Sequence, residues 1–138
     1  QMRHGPYLVE INLISNLLLE YVSDFSQHPF PEYLRLGVPV TLATDDRGMW
    51  DSTMTDEYFV AVKAFNLSWD ELRLLIKNSI QYSFLAPEPK LTLLKALDAR
   101  FTVFEKHWQA QDPKQLGALK TSPKRGFMCR NYDLCEGG

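Results

Sequence analysis

The chain has 138 residues, of which 45% are hydrophobic and 23% charged, a composition typical of one globular domain and not of a disordered protein. It has 15 Lys and Arg against 17 Asp and Glu, and this net charge of −2 gives no support to a nucleic-acid-binding surface. The longest nearly apolar stretch, residues 13–19, is interrupted by Ser15 and Asn16 and is too short to cross a membrane. We therefore expect neither a nucleic acid nor a membrane as partner.

The first half of the chain predicts two strands with a short helix between them. Residues 7–14 predict a strand, because β-branched and aromatic side chains alternate there with Glu10 and Asn12. Residues 31–37 predict a short helix that begins at a proline and ends at a glycine. Residues 38–44 are almost wholly apolar, which is typical of a strand buried on both faces of a parallel sheet.

The second half predicts three helices. The first covers residues 56–65. Ser68 and Glu71 form the capping-box pattern at the start of the next, whose apolar stripe runs to Phe84. The third covers residues 90–110, and its aromatic stripe indicates packing in the core or between subunits; the stripe consists of Phe101, Phe104 and Trp108.

Residues 111–138 lack periodicity and predict an irregular tail. Its two cysteines, Cys129 and Cys135, could close a small disulfide loop or supply half of a zinc site. We favour two ordinary thiols, because a structural zinc site needs more ligands than these.

Strands separated by a helix and followed by further helices indicate an α/β protein with parallel neighbouring strands. Two strands are fewer than an ordinary sheet contains, and a doubly buried strand needs partners, so we interpret the chain as the end of a larger unit. Its unpaired strand edges predict a tendency to self-associate.

Asp45 and Asp46 directly follow the buried strand, at the end where ligands collect in barrels and open α/β sheets. Carboxylate oxygen is a good metal ligand, and two adjacent aspartates on extended backbone would point apart and divide their roles. The alternative is that residues 45–48 are only a solvated turn.

Five ordered blocks resemble the C-terminal part of the adenosine deaminase family over roughly residues 8–108. They are residues 9–16, His28-Pro29, and residues 37–46, 52–58 and 78–85. Residues 48–50 are most similar to the bacterial and growth-factor-type branch. The resemblance implies a (β/α)₈ barrel of the metal-dependent amidohydrolase type that hydrolyses adenosine or deoxyadenosine and releases ammonia. Residues 7–14 and 38–44 would be its seventh and eighth strands, and residues 1–110 an incomplete catalytic barrel.

The same resemblance implies roles for individual residues. Asp45 matches the family's aspartate ligand to one Zn²⁺, which makes hydroxide available near neutral pH for attack on purine C6. Asp46 matches the aspartate that hydrogen-bonds purine N7, and because N7 is an acceptor Asp46 must then carry a proton. His28 matches a family position that orders a loop and does not bind metal.

Several family features are missing or altered. The His-x-His pair, the third zinc histidine and the catalytic glutamate belong to earlier strands and have no counterpart in these 138 residues. His4 resembles the catalytic histidine of a Gly-His-Gly motif, although we favour a chance match or a surface histidine, because the helix that should follow is missing. Arg47 replaces a proline after the aspartate pair. We therefore expect this chain alone to be inactive.

Two alternatives to a catalytic segment stay open. One is a truncated homologue that no longer catalyses and acts as a binding or oligomerisation module. The other is an unrelated helical binding module, which the buried strand ending in Asp45 and Asp46 disfavours.

Overall fold

A computed structural model describes residues 2–112 and 126–132. In this part of the chain two short strands and seven α-helices follow one another, with 3₁₀ turns at Met2–His4 and Phe25–Gln27. The elements in chain order are β1 (Val9–Ile11), α1 (Leu13–Leu18), α2 (Phe30–Arg35), β2 (Val40–Leu42), α3 (Arg47–Trp50), α4 (Met54–Phe65), α5 (Trp69–Gln81), α6 (Pro87–Gln109) and α7 (Phe127–Tyr132).

The two strands form a parallel pair in which Val9 lies opposite Val40 and Ile11 opposite Leu42. All three residues of β2 are buried, because α2, α4 and α5 pack against this strand. The predicted α/β class and the buried strand are therefore confirmed. β2 is shorter than the predicted range 38–44, although the Pro39 carbonyl still accepts from the Val9 amide and the Ala43 amide donates to the Ile11 carbonyl.

The prediction of one strand over residues 7–14 is wrong beyond Ile11. Leu13 and Ile14 begin helix α1 and are fully buried, so their apolar character reflects a buried helix start and not a continuing strand. Short apolar runs do not distinguish these two cases. The change of direction lies at the same end of the sheet as Asp45.

Helices α4 and α5 both begin with a capping box. Ser68 and Glu71 form the predicted one, with the Ser68 amide donating to Glu71 Oε2 over 2.8 Å. Thr53 and Asp56 form a second one that starts α4 at Met54, two residues before the predicted start. α5 ends at Gln81, so Phe84 lies beyond the helix and is fully exposed, contrary to the predicted stripe.

Helix α6 begins at Pro87 and ends at Gln109, close to the predicted 90–110. Of its aromatic stripe, Phe101 is buried, whereas Phe104 and Trp108 are partly exposed. The ring of Trp69 stacks on that of Phe104 with 5.2 Å between their centroids, which joins α5 to α6.

The expected irregular tail needs correction where the structure describes it. Residues 127–132 form α7, and Phe127 is only 2% exposed within the hydrophobic core. Cys129 is disulfide-bonded, so its interpretation as a free thiol was wrong. Cys135 and most of residues 113–138 lie outside the described residues.

The core contains side chains from both strands and most helices; its fully buried apolar members are Leu13, Ile14, Phe30, Val40, Val60, Ala61 and Leu75. Within residues 2–112 and 126–132, none of the helices has the length and apolar character that a membrane span requires.

Candidate active site

Asp45 lies three residues after β2, at the carboxyl end of the parallel pair, where the sequence placed it. Its backbone is left-handed, with φ 50°. Asp tolerates this conformation better than most residues, because its short polar side chain can hydrogen-bond locally. Asp45 is exposed at this turn, as is Asp46 after it.

The Ser15 hydroxyl donates to Oδ2 of Asp45 over 2.6 Å. Hydroxyl–carboxylate hydrogen bonds of this length are among the stronger hydrogen bonds in proteins. Ser15 is 1% exposed on α1, so a rigid buried group holds one oxygen of Asp45. The sequence placed Ser15 at the end of the first strand without assigning it a role.

Asp46 has a different conformation from its neighbour. Its φ of −77° and ψ of 64°, with the Arg47 amide 2.8 Å from the Asp45 carbonyl, define an inverse γ-turn centred on Asp46. The Asp46 side chain is exposed and does not cap α3, which begins at the next residue. One carboxylate is thus held by protein and the other is available to a ligand, although the backbone here is not extended as the prediction assumed.

Glu57 is a buried acid next to this site that the sequence analysis did not single out. Its Oε2 accepts from the Leu13 amide over 2.9 Å, and its Oε1 accepts from the Ile14 amide over 3.2 Å. These are the first two amides of α1, which otherwise lack partners within the helix. The available signal was periodicity, because Glu57 shares the buried face of α4 with Val60 and Ala61.

Burial raises the pKa of Glu57 to about 7, with smaller contributions from the negative charges of Asp56 and Asp45. The two amide hydrogen bonds act in the opposite direction, because they stabilise the ionised form. Glu57 is 0% exposed and changes its charge near neutral pH, a behaviour that concentrates at functional sites.

His28 links α1 to the start of α2 through hydrogen bonds of its two ring nitrogens. Its Nδ1 accepts from the Phe30 amide over 3.1 Å, so Nε2 carries the proton and donates to Asn16 Oδ1 over 2.9 Å. Burial lowers the pKa of His28, which keeps the ring neutral. Both ring nitrogens are therefore engaged in ordering the loop before α2, as the sequence analysis expected for this position.

His4, the predicted catalytic histidine, lies in the exposed 3₁₀ turn Met2–His4, and its role stays a prediction. Among the described residues, no group of three or more His, Cys, Asp or Glu is arranged to hold a metal ion. Asp45 could therefore contribute one ligand to a set whose other members lie outside these residues.

Helix α7 packs against the loop that follows the aspartate pair. The Phe127 amide donates to the Asp51 carbonyl over 2.9 Å, and Arg130 donates to Asp51 Oδ2 over 2.9 Å and to the Trp50 carbonyl over 3.2 Å. A Cβ at Gly126 would lie 3.0 Å from the Asp51 carbonyl oxygen, so a larger residue would fit only if this contact lengthened by a few tenths of an ångström. The sequence placed these residues in the irregular tail and did not foresee this contact.

Comparison with known proteins gives matches over the same segment. A family model described as adenosine deaminase matches residues 2–100. The chain is 39% identical over 84 residues to an adenosine deaminase of Clostridium acetobutylicum, covering 61% of this chain and 25% of that protein. It is 31% identical over 100 residues to an adenosine deaminase of Enterococcus faecalis, covering 72% of this chain and 30% of that protein.

Solved structures match as well. The structure of an adenine deaminase from Arthrobacter aurescens superposes with a TM-score of 0.68 at 27% identity, covering 73% of this chain and 31% of that one. Other similar proteins carry the names adenine deaminase, aminodeoxyfutalosine deaminase and, from Arabidopsis, N6-mAMP deaminase. The chain thus spans less than a third of the length of these relatives.

Proposed function

Because this chain belongs to the adenosine deaminase family and has the fold of the C-terminal part of a (β/α)₈ amidohydrolase barrel, we propose that it supplies the aspartate pair of a purine aminohydrolase. In a complete barrel the reaction is the zinc-dependent hydrolysis of adenosine or deoxyadenosine with release of ammonia. The observation that carries the proposal is the short hydrogen bond from buried Ser15 to Asp45 at the carboxyl end of the strands.

Asp45 can supply one carboxylate ligand to a zinc ion. The Ser15 hydroxyl donates to Oδ2 of Asp45, which leaves Oδ1 to coordinate a metal. When bound, zinc supplies a water activated near neutral pH. The part of this chain is to hold one ligand in a fixed orientation, since a ligand whose oxygen is already hydrogen-bonded cannot rotate freely.

Asp46 is proposed to bind the purine ring. Its exposed side chain lies next to Asp45 and is not used to cap α3, which leaves it available to donate to N7 when protonated. The two aspartates would then act on different parts of the reaction, one on the metal and one on the base. Their different backbone conformations support such a division.

Adenosine is favoured as the substrate because the relatives from Clostridium acetobutylicum and Enterococcus faecalis are named for it. The relatives named for adenine, aminodeoxyfutalosine and N6-mAMP share the same segment. An amino-substituted purine is common to adenosine, adenine and N6-mAMP, so a binding role for Asp46 on the base is compatible with each of these three. The sugar and phosphate would be recognised by other parts of a barrel.

The test is a barrel fusion, in which the 138-residue chain is joined behind the part of the Clostridium acetobutylicum protein that it does not cover. We expect the zinc-loaded fusion to convert adenosine to inosine, and the chain alone with zinc to be inactive. Asp45→Asn in the fusion is the matched control, because Asn also tolerates the left-handed backbone but is a poor metal ligand.

A fusion that folds and binds zinc but deaminates none of adenosine, deoxyadenosine and adenine would overturn the proposal. That outcome would favour the truncated homologue that acts as a binding or oligomerisation module. Activity of the chain without its fusion partner would equally contradict the expected dependence on a complete barrel.

A further inference from the structure

We propose that Glu57 is a positioning residue that orients Asp45 through helix α1 and Ser15. The inference rests on the proposed function of Asp45, because positioning has a catalytic meaning only if Asp45 serves the reaction. It concerns a side chain on α4 that makes no hydrogen bond to either aspartate.

The first step is the connection between Glu57 and α1. Both carboxyl oxygens of Glu57 are engaged, one on the Leu13 amide and one on the Ile14 amide, at 2.9 Å and 3.2 Å. A two-point contact fixes direction as well as distance, because rotation of the helix start would lengthen one of the bonds. Glu57 is fully buried, so water cannot replace it at these amides.

The second step is the short length of α1. The helix has six residues, so it lacks the long hydrogen-bonded interior that would hold it without side-chain contacts. Ser15 follows immediately after the two captured amides, and its hydroxyl reaches Asp45. A displacement at the start of α1 would therefore move the Ser15 oxygen and the Asp45 carboxylate with it.

The third step is the sensitivity of the Ser15–Asp45 hydrogen bond to small displacements. The 2.6 Å bond from Ser15 to Asp45 is shorter than most neutral hydrogen bonds, and small displacements weaken it. Metal ligands depend on such outer hydrogen bonds for their orientation. Glu57 thus acts on Asp45 across three elements, α4, α1 and the turn after β2.

The experiment is hydrogen–deuterium exchange followed by mass spectrometry on the full chain. Two segments are compared, residues 13–18 in α1 and residues 43–50 around the aspartates. The second segment has defined reporters, because the amides of Arg47, Met49 and Trp50 donate to the Asp45 and Asp46 carbonyls. The variants are Glu57→Gln, Ser15→Ala, the double variant and Val60→Ala.

Val60→Ala is the matched control for lost stability. Val60 lies one turn from Glu57 on α4 and is also fully buried, but it belongs to the apolar core. Glu57→Asp is included in case Glu57→Gln does not fold. It keeps the carboxyl group on a side chain that is one methylene shorter, so the two-point contact with the amides should be lost.

We expect Glu57→Gln to accelerate amide exchange in both segments, and Ser15→Ala to accelerate it in residues 43–50. In residues 43–50 each variant should raise the exchange rate by about tenfold or more. The double variant should add nothing further in residues 43–50, because both changes break the same connection. Glu57→Asp should act in the same direction as Glu57→Gln.

Faster exchange in residues 13–18 with residues 43–50 unchanged would show that Glu57 only caps a helix and would overturn the proposal. Additive effects in the double variant, or an equal effect of Val60→Ala, would overturn it as well. The measurement needs neither zinc nor turnover. An inactive barrel fusion would thus refute the proposed function, whereas the exchange rates of residues 43–50 alone decide whether Glu57 orients Asp45.

Discussion

The hydroxyl of Ser15 donates to Oδ2 of Asp45 over 2.6 Å and joins the segment after β1 to the segment after β2. The two strands are parallel neighbours, so their carboxyl ends lie at the same end of the sheet. Side chains that follow the two strands are therefore close enough to form such a bond. It gives Asp45, which is exposed, a fixed orientation through a buried partner.

Ser15→Ala should lower the kcat of the barrel fusion by roughly ten- to a hundredfold, because a misoriented ligand impairs the reaction more than it impairs substrate binding. KM for adenosine should change little. Steady-state kinetics with adenosine measure both constants. A rise in KM at constant kcat would assign Ser15 to substrate binding instead.

Asp45→Asn should abolish stoichiometric zinc binding by the fusion together with its activity. Replacement of the carboxylate by an amide removes the charge that the cation requires, whereas the left-handed backbone is retained. Zinc content by inductively coupled plasma mass spectrometry is the measurement. Full zinc occupancy in this variant would remove Asp45 from the ligand set.

Asp46→Ala should keep zinc bound and lose one purine contact. A hydrogen bond to a charged or polarised partner is worth about 1.5–3 kcal/mol, which corresponds to roughly ten- to a hundredfold in kcat/KM. The loss should be much larger for adenosine than for 7-deazaadenosine, which lacks the N7 acceptor. Equal losses on the two substrates would show that Asp46 acts elsewhere.

The stability of the chain should fall as the pH rises from 4.5 to about 7, because of Glu57. In this range the folded state keeps a proton that the unfolded state releases, since burial raises the folded pKa from 4.5 to about 7. The contribution is present below pH 4.5 and lost above pH 7, and amounts to on the order of 3 kcal/mol. Urea unfolding at pH 5 and pH 8 measures it.

Glu57→Gln is the control for this pH dependence. His28, whose pKa is lowered by burial, acts in the opposite sense and is common to both proteins, so their difference isolates Glu57. An unchanged pH dependence in the variant would contradict the assignment.

The isolated chain should self-associate through the edges of its two-stranded sheet. The edge of β1 is the more accessible one, because Glu10 is exposed, whereas β2 is buried and its Val40 carbonyl accepts from Asn78 Nδ2 over 2.8 Å. Sedimentation velocity should show a weight-average mass that rises with protein concentration. The barrel fusion should not show this rise, because strands would cover both edges. A compact monomer at all concentrations of the isolated chain would refute the expectation.

Local sequence patterns predicted the elements that depend on nearby residues. The apolar run around Val40 predicted the buried strand, and Ser68 and Glu71 predicted the start of α5. The position of Asp45 at the strand end followed from the same run. The buried strand needs only a general hydrophobic environment, and the start of α5 needs only two partners three residues apart, so both can be recognised from nearby sequence.

Contacts between residues far apart in sequence determine the features that local patterns did not predict, namely the early end of β1 and the presence of α7. The first strand ends early because Glu57, 44 residues after Leu13, captures the amides that begin α1. Periodicity in residues 7–14 carries no information on that partner. Helix α7 likewise depends on the Asp51 carbonyl and on the core that receives Phe127, neither of which leaves a signal near residue 127.

Phe127 packs in the hydrophobic core although it lies beyond the segment that the family model matches. The residues needed for folding therefore extend past the matched segment. The family model matches residues 2–100, and a domain trimmed at that position would lose Phe101 and Phe127, both buried. Loss of one buried phenylalanine side chain typically costs about 3–5 kcal/mol, a large fraction of the stability of a small domain. A chain expressed for biophysical work should therefore include Phe101 and Phe127, both of which lie beyond the last residue that the family model matches.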